Sequence, residues 1–190
     1  MRYLMIGFLL LAGCGTKPQE TKVETKAETE IKTGNIPYFH IMAKSYGEIV
    51  IKLNPKEAPK NVANIIKLTN KGFYNGLTFH RVIKGFVIQG GCPKGDGTGG
   101  PGYELEDEIS PRLKHLKGTV AMANHGPNTN GSQFYICLAP QSQLNGRYTI
   151  IGQVVKGMDV VRRIGDVKTT GPPYDRPLTK VVMEKVWVEQ

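Results

Sequence analysis

The sequence predicts a mainly β domain, a closed or nearly closed barrel with two helices. Three observations carry this. Many short runs rich in β-branched and aromatic residues are spaced along the chain, only two helical patterns lie far apart between them, and 23 Gly and 12 Pro provide the turns. A chain of 190 residues, 39% hydrophobic and 22% charged, suits one soluble domain with a proper core. The net charge is +9, and past residue 36 there are 20 Lys and Arg against 12 Asp and Glu. Apart from the pair Arg162-Arg163, those cations are scattered rather than in runs, so a solvated basic face is favoured over a nucleic-acid surface. No apolar stretch reaches the ~18 residues of a membrane-spanning helix.

Taken in order, Met1–Gly13 reads as an export signal: Arg2, the apolar run Leu4–Leu11, then the small pair Ala12-Gly13. Leu11-Ala12-Gly13-Cys14 resembles the lipobox of bacterial lipoproteins, in which the cysteine is acylated and becomes the mature N-terminus. Residues 14–36 then form a flexible linker of Glu-Thr-Lys-like units, too poor in apolar side chains to offset its ordering entropy. The expected location is the cell envelope, lipid-anchored through Cys14 to a bacterial membrane and facing the exterior or periplasm.

The folded domain is expected over 37–190. Tyr38–Ala43 and Glu48–Leu53 form a hairpin about Lys44-Ser45-Tyr46-Gly47. A helix starts at Pro59, with Val62, Ile65, Ile66 and Thr69 on one face and Gly72 as its stop. Thr78–Gly91, TFHRVIKGFVIQGG, alternates like a strand that bends at Lys84-Gly85 and doubles back, offering Phe79, Arg81, Phe86 and Gln89 to one surface. Cys92–Gly102 is a Gly-rich loop. Gly118–Ala123, Gln133–Cys137, Tyr148–Val155 and Thr179–Val188 read as further strands, and Met158–Ile164 as a short helix.

Several chemistries are excluded. Gly95–Gly100 matches GxGxxG, but Pro101-Gly102 follow where a dinucleotide fingerprint would open a helix. The four histidines have no metal-ligand spacing, and Ser132 lies outside any GxSxG elbow. Cys92 and Cys137 read as free thiols, and Glu104, Glu106, Asp107 and Glu108 as a solvated acidic face. Neither a metal nor a cofactor is called for. An arginine among aromatics suits an apolar ligand that carries a carbonyl or a developing lone pair.

Phe79-His80-Arg81, Gly85-Phe86, Gln89-Gly90-Gly91, Met122-Ala123-Asn124 and Gly126–Phe134 together resemble the cyclophilin-type peptidyl-prolyl cis-trans isomerases, in order from about Pro37 to Val188. The loop Cys92–Tyr103 looks like that of bacterial members. The resemblance implies an eight-stranded antiparallel closed barrel capped by two helices. It implies Arg81 as catalytic residue and Phe86 under the substrate's proline ring. Gln89 and Gln133 would orient the peptide, and the Asn124 backbone would hold it. Phe79 and His80 share the first motif, His80 lining the pocket. Val87, Ala123, Tyr135 and Leu144 would form the apolar wall, with Gly131 small enough to leave the groove open. Tyr148 replaces a histidine, Tyr135 replaces a phenylalanine and adds a hydroxyl at the rim, and Gln143 stands where eukaryotic members have a cyclosporin-contacting tryptophan. Binding of that drug is therefore expected to be weak. Taken singly, Phe79 and Phe86 read as core aromatics and Arg81 as half of an ion pair; only their combination with Asn124–Phe134 overturns that. The implied partners are proline-containing polypeptides, met by a monomer during the folding of exported proteins. A module that holds such segments without turnover is the rival reading.

Overall fold

The computed structural model describes residues 35–190. The signal, Cys14 and the linker up to residue 34 lie outside the described residues. Eight strands follow in chain order: β1 (Tyr38–Ala43), β2 (Gly47–Leu53), β3 (Phe79–Ile83), β4 (Val87–Gly90), β5 (Thr119–Met122), β6 (Phe134–Cys137), β7 (Ile150–Lys156) and β8 (Met183–Glu189). Helix α1 (Pro59–Asn70) lies between β2 and β3, and α2 (Met158–Gly165) between β7 and β8. A single 3-10 turn at Ser142–Leu144, which no sequence pattern announces, interrupts the loop after β6.

All pairings are antiparallel, and the strand order is β3-β4-β6-β5-β7-β2-β1-β8. The closed barrel expected from the sequence is corrected to a curled sheet without a closing ladder. Edge strands β3 and β8 meet only near the Thr78–Val182 bridge, flanked by Phe79 N–H donating to Val181 O (3.0 Å) and Met183 N–H to Leu77 O (2.7 Å). The reason lies in β8, which begins one residue after the bridge and runs along β1 instead. The expected strand Thr179–Val188 is accordingly shorter, because residues 179–182 serve this seam.

Alternation sorts the side chains into two sets. Phe39, Ile41, Ile49, Ile51, Ile88, Val120, Phe134 and Ile136 point into one fully buried core. Val62, Ile65 and Ile66 of α1 and Val161 and Ile164 of α2 pack against it from the helices. Phe134 is the hub of edge-on contacts with Phe39, Tyr74 and Phe79 at centroid distances of 5.7, 5.9 and 6.4 Å. The alternate residues of the central strands, Val87, Ala121, Tyr135, Cys137 and Ile150, form a second cluster on the outer face, joined by Phe86, Ala123, Leu144 and Tyr148. Cys92 and Cys137 are free and buried, and burial pushes the Cys137 thiol up to about 12.

Helix α1 has no side-chain cap from its own N-terminal residue, Ala58. Glu108 supplies it: its carboxylate accepts from the backbone N–H groups of Lys60 (3.0 Å) and Asn61 (2.9 Å) and from Asn61 Nδ2 (2.8 Å). A negative group satisfying orphan N–H donors at the positive end of a helix is doubly favourable. The acidic run is therefore only partly a solvated face: Glu104 and Glu106 are exposed, while Asp107 and Glu108 are engaged. Glu108→Ala is expected to cost about 2 kcal/mol in urea denaturation, with Glu108→Gln recovering part of it, since the buried Asn61 amide also loses a partner.

Candidate active site

The outer-face cluster floors a cavity of about 300 Å³. Its apolar walls are Phe86, Val87, Ala123, Tyr135, Leu144 and Tyr148, and its polar walls include His80, Arg81, Gln89, Asn124 and Gln133. Of the residues singled out in the sequence, Phe79 is not among the lining: it is 1% exposed and packs on Phe134. The cause is a register shift between Phe79 and Arg81 in the β3–β4 ladder, where Phe79 opposes Gly90 and Arg81 opposes Gln89. His80 is the extra residue of a β-bulge, which breaks strict alternation, so that Phe79 turns inward and both His80 and Arg81 reach the cavity. Gly85, at φ +73°, makes the turn that returns the chain as β4.

Gln89 and Gln133 form a pair, Gln89 Nε2 donating to Gln133 Oε1 at 3.0 Å. Gln133 Nε2 in turn donates to the carbonyls of Gly97 (2.7 Å) and Gly99 (2.9 Å). Both donors of Gln133 are thus spent on the Gly-rich loop, and it is Gln89 that keeps free hydrogen-bonding capacity. The loop is also tied by Gly99 N–H donating to Cys92 Sγ, 3.3 Å. The side chain of Asn124 is occupied as well, donating to Asp107 Oδ1 and Asn130 Oδ1, both at 3.2 Å. Its backbone N–H and carbonyl make no hydrogen bond among the described residues and are left for a peptide.

Tyr135 keeps its hydroxyl away from the rim, contrary to the expectation. The hydroxyl meets His115 Nε2 at 2.9 Å, and His115 stacks on the Tyr135 ring at 6.0 Å. Asn145 Oδ1, an acceptor only, takes both the backbone N–H and Nδ1 of His115 (2.8 and 3.1 Å), which leaves Nε2 to accept the phenol proton. His115 is a supporting residue that sequence reasoning missed, since a lone histidine 20 positions from its partner carries no local signal. Gln143 is exposed, donates to Gln141 Oε1 (2.8 Å), and is not part of the cavity wall.

Arg81 Nε lies 3.7 Å from Asp175 Oδ2, and no side chain among the described residues hydrogen-bonds its Nη atoms. Pro173, Tyr174 and Arg176 complete the cavity on this side, none of them flagged by a sequence motif. Asp96, also on the wall, is held below the usual carboxylate range by the backbone and hydroxyl of Thr98.

His80 is 6% exposed and neither ring nitrogen has a hydrogen-bond partner. Burial is the main cause of its low pKa, about 4; the nearby Thr78 backbone and Asp96 pull the other way, and the Arg81 and Arg176 charges add to the lowering. It is a neutral wall, not a base. Because the unfolded chain binds this proton near pH 6.5 and the folded chain only near 4, stability falls as pH drops through that window and levels off below it. The loss amounts to roughly 3 kcal/mol. In His80→Gln the difference in unfolding free energy between pH 7 and pH 4, measured by denaturant titration, should shrink by about that amount; an unchanged difference would show that His80 is charged or solvated in the fold.

The sequence profile of the family described as cyclophilin type peptidyl-prolyl cis-trans isomerase matches residues 38–188. The chain is 45% identical over 141 residues to peptidyl-prolyl cis-trans isomerase CYP18-2 of Arabidopsis thaliana, covering 72% of this chain and 85% of that one. It is 48% identical over 147 residues to peptidyl-prolyl cis-trans isomerase-like 1 of Mus musculus, covering 75% and 87%. A crystal structure of a Cryptosporidium parvum cyclophilin type peptidyl-prolyl cis-trans isomerase superposes with a TM-score of 0.77 at 33% identity, covering 82% of this chain and 99% of that one. The same protein in the presence of the dipeptide Ala-Pro gives a TM-score of 0.75 at 33% identity, covering 80% and 99%. The chain belongs to the cyclophilin-type peptidyl-prolyl cis-trans isomerases.

Proposed function

We propose that this cavity receives the proline of an extended polypeptide and that Arg81 drives rotation about the preceding bond. Amide resonance sets a barrier of about 18–20 kcal/mol, and unaided exchange takes tens to hundreds of seconds. In the twisted transition state the proline nitrogen turns pyramidal and regains a lone pair. A fixed guanidinium donates to that lone pair better than to the planar ground state, and this difference is what accelerates the reaction. The apolar wall from Phe86 to Tyr148 would hold the ring and keep water from the resonance form with separated charge. Gln89 and the Asn124 backbone would anchor the peptide, with Gln133 setting the position of Gln89. The step needs neither a nucleophile nor a proton transfer.

The observation that carries the reading is an arginine whose Nη donors are unspent in a cavity with one apolar wall, roomy enough at about 300 Å³ to take a proline ring. The relative studied in the presence of Ala-Pro supports proline-containing substrates. The exposed Gln143, tied to Gln141, supports weak cyclosporin binding. Arg81→Ala should lower kcat/KM for cis–trans exchange of a short Xaa-Pro peptide, followed by NMR line shape, about 100-fold. Full activity in that variant would remove Arg81 from the mechanism, and no acceleration by the wild type would leave a proline-binding module instead.

Further, the run Leu4–Leu11 followed by Ala12-Gly13-Cys14 supports a bacterial lipoprotein whose acylated Cys14 tethers the domain to the cell envelope, where it would assist the folding of exported proteins as a monomer. In a bacterial host, Cys14→Ser should move the protein from the membrane to the soluble fraction. Unchanged membrane retention refutes the anchor.

A further inference from the structure

We infer that Asp175 is a positioning residue for turnover: its carboxylate holds the Nε edge of the Arg81 guanidinium so that the Nη edge faces the proline nitrogen. The inference rests on the reading of Arg81 given above. Asp175 comes from the loop Gly171–Pro177, which by sequence is only a Pro-rich turn.

The loop is built to deliver this one side chain. Asp175 N–H donates to Gly171 O and its carbonyl accepts from Val82 N–H, both at 2.9 Å, so the residue is pinned to the strand position next to Arg81. Thr170 N–H donates to Arg176 O (2.9 Å), and Thr169 bridges Pro177, closing the loop on itself. At φ +50° Asp175 has a left-handed backbone, a conformation that Asp, Asn and Gly tolerate. The residue is 8% exposed, and its only ion-pair partner among the described residues is Arg81. A carboxylate so buried is costly unless a cation answers it. Arg81 is the half-exposed member, with 37% of its side chain accessible, and so the one whose orientation needs fixing.

A guanidinium is planar, with five donors in a fixed fork, so holding one edge sets the direction of the others. The contact of 3.7 Å is an ion pair rather than a hydrogen bond, and it engages Nε, leaving both Nη groups for substrate. The other charged groups on this side are Arg176 and Asp96. Arg176 lies over the Tyr174 ring at 5.0 Å, and Asp96 is bound to Thr98, so neither replaces Asp175 at Nε. Placing a catalytic donor within a fraction of an ångström matters because small displacements in such sites cost up to about 100-fold.

The test uses the full chain and a short Ala-Pro peptide, with kcat and KM separated by NMR exchange and the Arg81 Nε–H resonance followed in ¹⁵N-labelled protein. Asp175→Gly keeps the left-handed backbone and both main-chain hydrogen bonds but removes the carboxylate. It should lower kcat about tenfold with KM within about twofold, and shift the Arg81 Nε–H signal towards that of a free arginine. Asp175→Asn, which keeps the shape and an acceptor oxygen, should fall in between in both readouts. Should the glycine variant fail to fold, the asparagine variant decides on the same two measurements. Wild-type kcat in a folded Asp175 variant, beside an inactive Arg81→Ala, overturns this inference alone. So does a rise in KM with the Nε–H signal unmoved, since that is the mark of a merely structural loop. Full activity in Arg81→Ala, by contrast, would overturn the underlying reading while the Nε–H response still reports whether the pair exists.

Discussion

One wall of the groove, Ala123 to Gln133, is not strand for most of its length, and it holds its shape because of a single buried amide. Asn130 is fully buried, and its Nδ2 donates to Asp107 Oδ1 (3.0 Å), Thr149 Oγ1 (3.2 Å) and Glu106 O (3.3 Å). Its backbone exchanges two hydrogen bonds with Leu105. Asp107 answers from the other segment by accepting from Asn128 N–H (2.8 Å) and Asn124 Nδ2. Two irregular stretches, each with backbone groups that no ladder satisfies, are thereby welded together, and Glu108 carries the weld on to the N-terminus of α1. A buried polar network of this kind is rigid only while every member is satisfied. The free backbone of Asn124, the edge on which a peptide would lie, depends on it.

The opposite wall gets its rigidity from the sheet, and its specificity from a departure from the sheet. In an undistorted strand Phe79 and Arg81 share a face and His80 points away. The bulge at His80 separates them. Phe79 goes to the aromatic hub around Phe134, while Arg81 and His80 come to the cavity. Buried beside Arg81 and Arg176, His80 stays neutral and adds no further cation next to Arg81. A protonated imidazole there would repel the guanidinium and weaken its hold on Asp175.

This explains what could and could not be read from the residues. Alternation and turn residues located every strand to within a few positions, and the helical face of α1 was legible from Val62, Ile65 and Ile66. Of the groove, alternation put Arg81, Phe86 and Gln89 on one surface, while Val87, Ala123, Tyr135 and Leu144 were legible only through the family resemblance. What escaped was whatever depends on distant chain. The bulge arises from how β3 meets β4, so Phe79 looked like a groove residue. Glu108 looked solvated because the donors it serves are 47 and 48 positions away. The Tyr135 hydroxyl turned inward because His115 waits behind it. The seam between β3 and β8 stayed open because residues 179–182 form a bridge and not a ladder.

The open seam and the arginine belong together. Had β3 and β8 paired along their length, the N–H of Val82 would bond a strand, and the loop carrying Asp175 would have no place beside Arg81. Because pairing stops near Thr78–Val182, Val82 N–H is free to donate to Asp175 O. The edge strand that a full barrel would abolish is covered instead by Gly171–Pro177, which satisfies the exposed backbone as edge protection requires. The same cover brings a carboxylate to Nε of Arg81 and sets Tyr174 and Arg176 at the mouth of the groove. An incomplete ladder therefore costs a few backbone hydrogen bonds and gains a loop whose side chains line the cavity or pair with Arg81. In this fold the gap in the barrel is part of the site.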